Sequence, residues 1–306
     1  MSQNITNLMV TQFQANLRLA AQAMDSRLMD CVEIESGIEG DLSSPVTIIG
    51  ALTAQKKTSR NSDTVYSNVD YDRRWYEPTA YQLSDLFDWD DVIKVSGPYD
   101  PKSNVLRAFV AGLKRACDDR ILAAMFATSK TGVKGGSTTA FDSNNIVPLA
   151  TGGANSGLNV AKLKAGVEIF LGNDVDEEDM LYCAITARQN KELLKEIEVL
   201  KSDYRQTAVI ENGRLKSFMG ITFKHVQWQN ASRYPDANSG LIDGSSDFLV
   251  PMWAKSGVAL GLYKDIEGKM DIIPTKNYST QIYARNMVGA TRTEEEKVVQ
   301  IVCYGS

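Results

Sequence analysis

Two dense runs of acidic side chains are the first candidates for chemistry in this chain of 306 residues. Three consecutive glutamates occupy positions 294–296, and residues 173–179 read NDVDEED. Neighbouring carboxylates can act as a general acid and base, and alternating carboxylates can bind a calcium ion. A calcium-binding loop, however, needs glycine at its sixth position and glutamate at its twelfth. This sequence has Asp179 and Ile185 there, so we expect residues 173–179 to form a solvated turn between a helix and a strand.

The three glutamates lie between two segments, STQIYARNMVGATR and KVVQIVCY, in which apolar and polar residues alternate. Alternation with a period of two is typical of β-strands. No partner residue marks the glutamates as catalytic. We therefore expect positions 294–296 to form the solvated turn of a β-hairpin.

The remaining motifs provide little support for a role in catalysis or ligand binding. The only histidine, His225, lies inside an apparent strand without partners at metal-binding or catalytic spacing, so we expect a structural role. The glycine-containing segments 130–139 and 261–270 lack the order of residues that a phosphate-binding loop requires, and we expect both to be ordinary loops. Four scattered cysteines favour buried free thiols. We predict no catalytic, metal-binding or cofactor-binding residues.

Composition limits the partners that whole-molecule electrostatics could attract. The chain has 33 basic and 38 acidic residues and a net charge of −5, which does not favour attraction to nucleic acid. No signal peptide and no apolar stretch of bilayer-spanning length is evident. These observations predict a soluble, cytosolically made protein with no membrane partner.

A long β-hairpin is predicted over residues 46–83, around a polar tip at 56–63. An isolated hairpin is marginally stable in water, so something else must cover it. Its basic residues are Lys56, Lys57, Arg60, Arg73 and Arg74. The segment that follows is acidic and contains Asp85, Asp88, Asp90 and Asp91. The basic hairpin of one copy could have charge complementary to the acidic segment of a neighbouring copy. Alternatively, the two segments could be a solvated hairpin beside an acidic loop.

The strongest helical pattern spans residues 101–127, with Asp100 as a possible cap and Pro101 in the first turn. An amphipathic helix is also predicted over residues 5–24. Residues 158–250 alternate between helical and strand patterns, as a compact α/β lobe would. In this lobe we expect helices at 158–172 and 187–200, a strand at 180–186 and one strand at 216–228. Long β-segments follow Asp247.

The sequence resembles the major capsid proteins of tailed bacteriophages with the Hong Kong 97-type fold. The resemblance rests on ITNLMVTQFQANLRLAAQ (5–22), MWAKSGVALGLYKDIE (252–267) and STQIYARNMVGATRTEEEKVVQIVC (279–303). ALTAQKKTSR (51–60) and RRW (73–75) are also similar to the family's hairpin.

The resemblance implies an α+β Hong Kong 97-like phage capsid fold with five parts. They are an N-terminal arm (1–45), an extended β-hairpin loop (46–84), a peripheral domain (85–149), an axial domain (150–270) and returning peripheral strands (271–306). The spine helix of the peripheral domain would span about 101–127. An adjacent copy would then cover the hairpin, and reversing the charges of Arg73 and Arg74 should impair assembly more than folding.

The resemblance further implies self-assembly into hexamers and pentamers that close into an icosahedral shell around double-stranded DNA, with loose, non-specific contact to that DNA. The implied partners are a separate scaffolding protein, a portal protein and a decoration protein, with assembly in the host bacterial cytoplasm. The alternative from another class is a two-lobed α/β enzyme that uses residues 158–250. Our candidates for contacts between subunits are the nine charged hairpin and acidic-loop residues given above, Trp75, Arg292, Glu294, Glu295 and Glu296. Arg292 and Lys297 could form ion pairs with the glutamates or with a neighbouring copy.

Overall fold

The computed structural model describes most of the chain between Ser26 and Gly305. The described ranges are 26–40, 43–50, 71–87, 101–154, 156–196 and 209–305, with positions 52, 54–57, 59–60 and 66–69. The helix predicted at 5–24 and the acidic residues Asp88, Asp90 and Asp91 lie outside these ranges.

The helices of the described residues are α1 (Pro101–Phe126), α2 (Val160–Gly172), α3 (Ala187–Lys195) and α4 (Pro235–Gly240). The predicted helices at 101–127 and 158–172 are confirmed, and the one at 187–200 is confirmed as far as Lys195. Local capping explains two of the starts. Asn159 accepts a hydrogen bond from the backbone nitrogen of Lys162 at the start of α2, and Thr186 and Gln189 form a capping box at the start of α3.

The strands of the described residues form three sheets. In chain order they are β1 (Glu33–Ser36), β2 (Ser43–Ile49), β3 (Tyr71–Tyr76), β4 (Thr79–Phe87), β5 (Ser129–Thr131), β6 (Ser137–Thr139), β7 (Ile146–Val147), β8 (Leu181–Ile185), β9 (Val209–Glu211), β10 (Arg214–Phe218), β11 (Ile221–His225), β12 (Phe248–Ala254), β13 (Val258–Ile273), β14 (Ser279–Arg292) and β15 (Val298–Cys303).

The long sheet has the strand order β1-β13-β14-β4, and α1 packs against it. Leu106 and Val110 of α1 form a small core with Ile282 of β14. The segment 261–270, which we expected to be a loop, is instead part of the 16-residue strand β13. Its two glycines, Gly261 and Gly268, pair in register with β14. Glycine is tolerated in a strand at places where another backbone approaches closely.

The hairpin sheet has the strand order β2-β3-β5-β6. Antiparallel pairing of β2 with β3 confirms the predicted hairpin. The segment 130–139 is not the expected loop, since it supplies most of β5 and all of β6, which extend the hairpin within the same chain. The second strand of the hairpin is also shorter than predicted. The chain leaves the hairpin sheet after Tyr76, and β4 joins the long sheet.

The seven-stranded sheet has the order β7-β15-β12-β8-β11-β10-β9 and carries the main core. Trp228 and Trp253 are fully buried in it. The single strand expected at 216–228 is instead part of an antiparallel pair, β10 and β11. The two strands are joined through Met219 and Gly220, whose φ angles are 53° and 79°. Positive φ at both central residues is typical of a tight hairpin turn.

The four cysteines are buried free thiols, as predicted. Burial raises the pKa of the Cys117 and Cys303 thiols to about 12. Helix α1, like the other helices in the described part of the chain, is not long and apolar enough to cross a membrane.

The closing strands depart most from expectation. β14 belongs to the long sheet and β15 to the seven-stranded sheet, so the hairpin predicted around the three glutamates is wrong. Residues 293–297 instead carry the chain from one sheet to the other. We call this segment the acidic link.

Candidate functional site

The acidic link is fixed by backbone contacts to the connection between β12 and β13. The backbone nitrogen of Thr293 donates to the carbonyl oxygen of Gly257 at 3.0 Å, and its hydroxyl donates to the Ser256 carbonyl at 2.6 Å. At the other end, the Lys297 carbonyl accepts from the Ala254 nitrogen at 3.0 Å. The link therefore has a defined path rather than that of a solvated turn.

Arg292 is fully buried at the start of the link, where the C-terminus of α1 meets the two sheets. Its Nη1 atom donates to the carbonyl oxygens of Met125 (2.7 Å) and Ala127 (3.0 Å). The last carbonyls of a helix have no partner within the helix, so the guanidinium supplies one. The same group lies 5.2 Å from the centre of the Phe141 ring, a cation–π arrangement.

Glu295 is the counter-ion of this buried arginine. Its Oε2 atom lies 2.7 Å from Nε of Arg292, and its side chain is 14% exposed. Burial lowers the pKa of Arg292, and the carboxylate of Glu295 opposes that effect. The interpretation of all three glutamates as a solvated turn is therefore wrong for Glu295. Glu296 is exposed, and Glu294 pairs with Lys297 at 2.9 Å.

Arg74 brings the hairpin sheet to the same point. Its Nε atom donates to the Thr293 carbonyl at 2.8 Å, and Nη2 lies 3.6 Å from Oε1 of Glu295 and 3.7 Å from Oδ2 of Asp72. Only 6% of Arg74 is exposed. One glutamate thus stands between two buried arginines, one from β3 and one from β14.

Two asparagines complete the site from the seven-stranded sheet side. Asn145, which precedes β7, donates to the Glu295 carbonyl at 2.6 Å. Asn173, which ends α2, donates to the Glu296 carbonyl at 3.3 Å and to Asn145 Oδ1 at 3.1 Å. No sequence pattern predicted a role for these two residues, because short polar side chains near helix ends are common in any fold.

The arrangement is suited to holding elements together rather than to catalysis. The charges are paired across short distances, and Nη1 of Arg292 and Nε of Arg74 donate to backbone carbonyls. Among the residues that the structure describes, no group of three or more histidine, cysteine, aspartate or glutamate side chains could hold a metal ion. The acidic link connects the base of the hairpin, the end of the long helix and both large sheets.

The remaining motifs lie away from this link or at its edge. His225 Nε2 is 3.0 Å from the Leu215 carbonyl, which supports the predicted structural role, and burial lowers its pKa. Residues 173–179 form the predicted connection between α2 and β8. One of their carboxylates, Asp179, accepts from the backbone nitrogen of Ser256 at 3.3 Å.

The candidates for subunit contacts are divided by the structure into exposed and buried groups. The exposed ones are Lys56, Lys57, Arg60, Arg73 and Asp85. Trp75 is half-buried and donates from Nε1 to the Gly132 carbonyl at 2.7 Å. Arg74 and Arg292 are buried within the chain. A role between subunits stays a prediction for all of these residues.

The combination of a long helix, a hairpin sheet and two further sheets matches the solved structures of several phage capsids. The head structure of Helicobacter pylori bacteriophage KHP40 matches with a TM-score of 0.66 at 13% identity, covering 90% of this chain and 89% of that one. The capsid of cyanophage P-SCSP1u matches with 0.64 at 16% identity, covering 90% and 87%. The cyanophage Pam1 capsid matches with 0.63 at 11% identity, covering 92% of each chain.

The family model described as phage capsid protein matches residues 5–304. The chain therefore belongs to the phage capsid protein family, and the predicted Hong Kong 97-like fold is confirmed. No curated protein matches it in sequence. It is a phage capsid protein and therefore a structural part of the virion. No comparison supports the alternative of a two-lobed α/β enzyme.

Proposed function

We propose that copies of this chain form hexamers and pentamers that close into an icosahedral shell around double-stranded DNA. The observation that carries this proposal is the match of nearly the whole chain, residues 5–304, to the phage capsid protein family. Assembly takes place in the host bacterial cytoplasm, with a separate scaffolding protein, a portal protein and a decoration protein as partners. The protein works as a building block and not as an enzyme.

The hairpin supports contact with a neighbouring copy, because four of its large apolar side chains are left exposed by its own chain. Ile49 is 61% exposed, Leu52 57%, Tyr66 85% and Tyr71 67%. Exposed apolar side chains that cluster on one element are typical of protein–protein contact sites. The basic side chains Lys56, Lys57 and Arg60 lie on the same hairpin and add charge to this surface.

The domain division proposed from the sequence fits the elements in part. Residues 46–84 contain most of β2 and all of β3, and residues 85–149 contain the long helix α1. The proposed axial domain, 150–270, contains α2, α3, α4 and strands β8 to β12. Strand β13 crosses the boundary proposed at residue 270, so the returning strands are continuous with the axial domain there.

The test is assembly of the purified full chain, alone and with the scaffolding protein of the same phage, followed by light scattering and electron microscopy. We expect rings of five and six subunits and closed icosahedral shells. A chain that stays monomeric under both conditions would contradict the proposal.

A matched pair of variants separates assembly from folding. Tyr71→Asp places a charge on the exposed hairpin surface, and Tyr278→Asp makes the same change at a 65% exposed position after β13. We expect Tyr71→Asp to reduce shell yield at an unchanged melting temperature, and Tyr278→Asp to assemble like the unmodified chain. Equal shell yields for the two variants would argue against a hairpin contact.

A further inference from the structure

Two clefts lie on either side of Arg27, at the start of the described chain. The first has a volume of about 790 Å³ and lies between residues 26–30 and strands β9 to β11. The second, of about 520 Å³, lies between residues 26–27, α1 and the segment 227–234. Both share Ser26 and Arg27 in their linings, so they form one continuous surface.

Cationic side chains dominate this surface. We call it the basic tract and define it by Arg27, Arg115, Lys216, Lys224, Arg214 and Arg233. The carboxylates that line the two clefts are Asp30, Asp118 and Glu211. Asp118 is buried and already accepts hydrogen bonds from the backbone nitrogens of residues 27 and 28, and Glu211 pairs with Lys216. The chain as a whole has a net charge of −5, so this local excess of positive charge is not what its composition predicts.

The arginines converge on one place rather than being scattered over the surface. Arg27 donates from Nη1 to the His225 carbonyl at 2.6 Å, which fixes it between the two clefts. Burial raises the pKa of Tyr234, and so does the charge of Asp118, whereas Arg27, Arg115 and Arg233 all oppose that rise. Within the described part of the chain, no carboxylate forms an ion pair with any of these three guanidinium groups.

The lining also lacks the apolar anchors that a bound protein segment needs. The large apolar side chains that are exposed in the described residues include Ile34, Leu171, Met180 and Ile210, and none of them lines either cleft. Protein–protein contacts derive most of their affinity from buried aromatic and aliphatic groups. A nucleic-acid backbone, in contrast, is bound through arginine, lysine and neutral hydrogen-bond donors. The side-chain amides of Gln227 and Asn230 supply such neutral groups here.

We propose that the basic tract binds the phosphate backbone of double-stranded DNA without sequence preference. This inference rests on the proposed function, because the polyanion next to the subunit is then the enclosed genome. The subunit as a whole has a net negative charge, so contact is favoured at the tract and is weakened steeply by salt. A local, releasable contact of this kind orders DNA against the shell without holding it there.

The test measures binding of a short labelled DNA duplex of mixed sequence to the purified full chain by fluorescence anisotropy over a range of salt concentrations. The Arg115→Ala/Arg233→Ala variant removes two tract charges. We expect it to bind several-fold more weakly and to lower the slope of log affinity against log salt by about 2, one for each lost phosphate contact. The matched control, Lys269→Ala/Lys276→Ala, removes two exposed charges from the far end of β13 and should bind like the unmodified chain.

Two further measurements test the proposal, one with a conservative variant and one with a different polyanion. The Arg115→Lys/Arg233→Lys variant keeps both charges and should retain the salt slope, which distinguishes charge loss from a folding defect. A polyglutamate peptide of matched charge should bind more weakly than the duplex. Equal DNA affinity for the two double-alanine variants, or tighter binding of polyglutamate, would overturn the proposal. Shell formation by the unmodified chain is scored separately, so a failure of the proposed function is distinguishable from a failure of the tract.

Discussion

Arg292 and Glu295 form an ion pair, with 2.7 Å between Nε and Oε2, at the point where the chain passes from the long sheet to the seven-stranded sheet. The arginine is fully buried and also supplies hydrogen bonds to the last carbonyls of α1. The pair therefore joins the end of β14 and the acidic link to α1, which lies 167 positions earlier in the sequence at Met125. Arg74 brings the hairpin to the same carboxylate.

Glu295→Gln should destabilise the subunit strongly, because it leaves the buried guanidinium group of Arg292 without a counter-ion and leaves Arg74 with Asp72 alone. Removal of one partner from a buried ion pair costs about 3 kcal/mol or more. Glu296→Gln is the matched control, since it makes the same chemical change at the exposed neighbour. Urea denaturation of the two variants measures the difference in the free energy of unfolding. Equal stabilities would mean that the pair contributes nothing to the fold.

Arg73 and Arg74 should behave differently, although the sequence suggested one shared role in assembly. Arg74→Glu puts a third carboxylate beside Asp72 and Glu295, so we expect a lower melting temperature of the isolated subunit. Arg73→Glu changes an exposed position and should leave the melting temperature unchanged while lowering shell yield. Calorimetry and electron microscopy of the two variants check both expectations. An Arg74→Glu subunit that melts like the unmodified chain would contradict the assignment.

Gly289→Ala should destabilise the subunit, because Gly289 lies against the segment in which the chain passes from the hairpin sheet to the long sheet. A Cβ atom at this position would lie 2.8 Å from the Glu77 carbonyl oxygen and 3.2 Å from Cβ of Tyr76. Backbone atoms cannot move aside easily, so we expect overpacking to cost about 1–3 kcal/mol.

Gly172→Ala is the control for this prediction, since a Cβ there meets nothing within 4 Å. Thermal unfolding of both variants makes the comparison. If the two alanine variants had the same melting temperature, the close approach at Gly289 would not limit stability.

Stability should fall as pH rises from about 4 to above 6, in part because of Asp119. Burial raises the pKa of this α1 carboxyl to about 6, with a smaller contribution from Asp236, although backbone donors of Asp236 and Ala237 and the charge of Arg120 oppose the rise. The unfolded chain loses this proton near pH 4 and the folded chain keeps it until about pH 6. Its contribution is therefore complete below about pH 4 and lost as pH rises through 6.

Asp119→Asn tests this origin of the pH dependence. The free energy of unfolding, measured by chemical denaturation at a series of pH values, should change less between pH 4 and 7 than in the unmodified chain. Asp271→Asn, at an exposed position on β13, should leave the profile unchanged. A profile of the Asp119→Asn variant with the original slope would assign the effect to other groups.

Local sequence patterns determined most helices and strands of this protein. The apolar face and the absence of proline predicted α1, and alternation predicted β14 and β15. These properties depend on neighbouring residues, because the periods of helices and strands and their capping preferences are set within a few positions. The terminal motifs likewise identified the family across nearly the whole chain.

Strand partners and the burial of charge were decided only by the tertiary structure. β14 and β15 adjoin in sequence but belong to different sheets, and the glycine-containing segments 130–139 and 261–270 became strands because other strands were available to pair with them. The hydrogen bond from Arg74 to Thr293 spans 219 positions. Long-range pairing and the desolvation of Glu295 depend on what the rest of the chain packs around them, and no local pattern of residues encodes that.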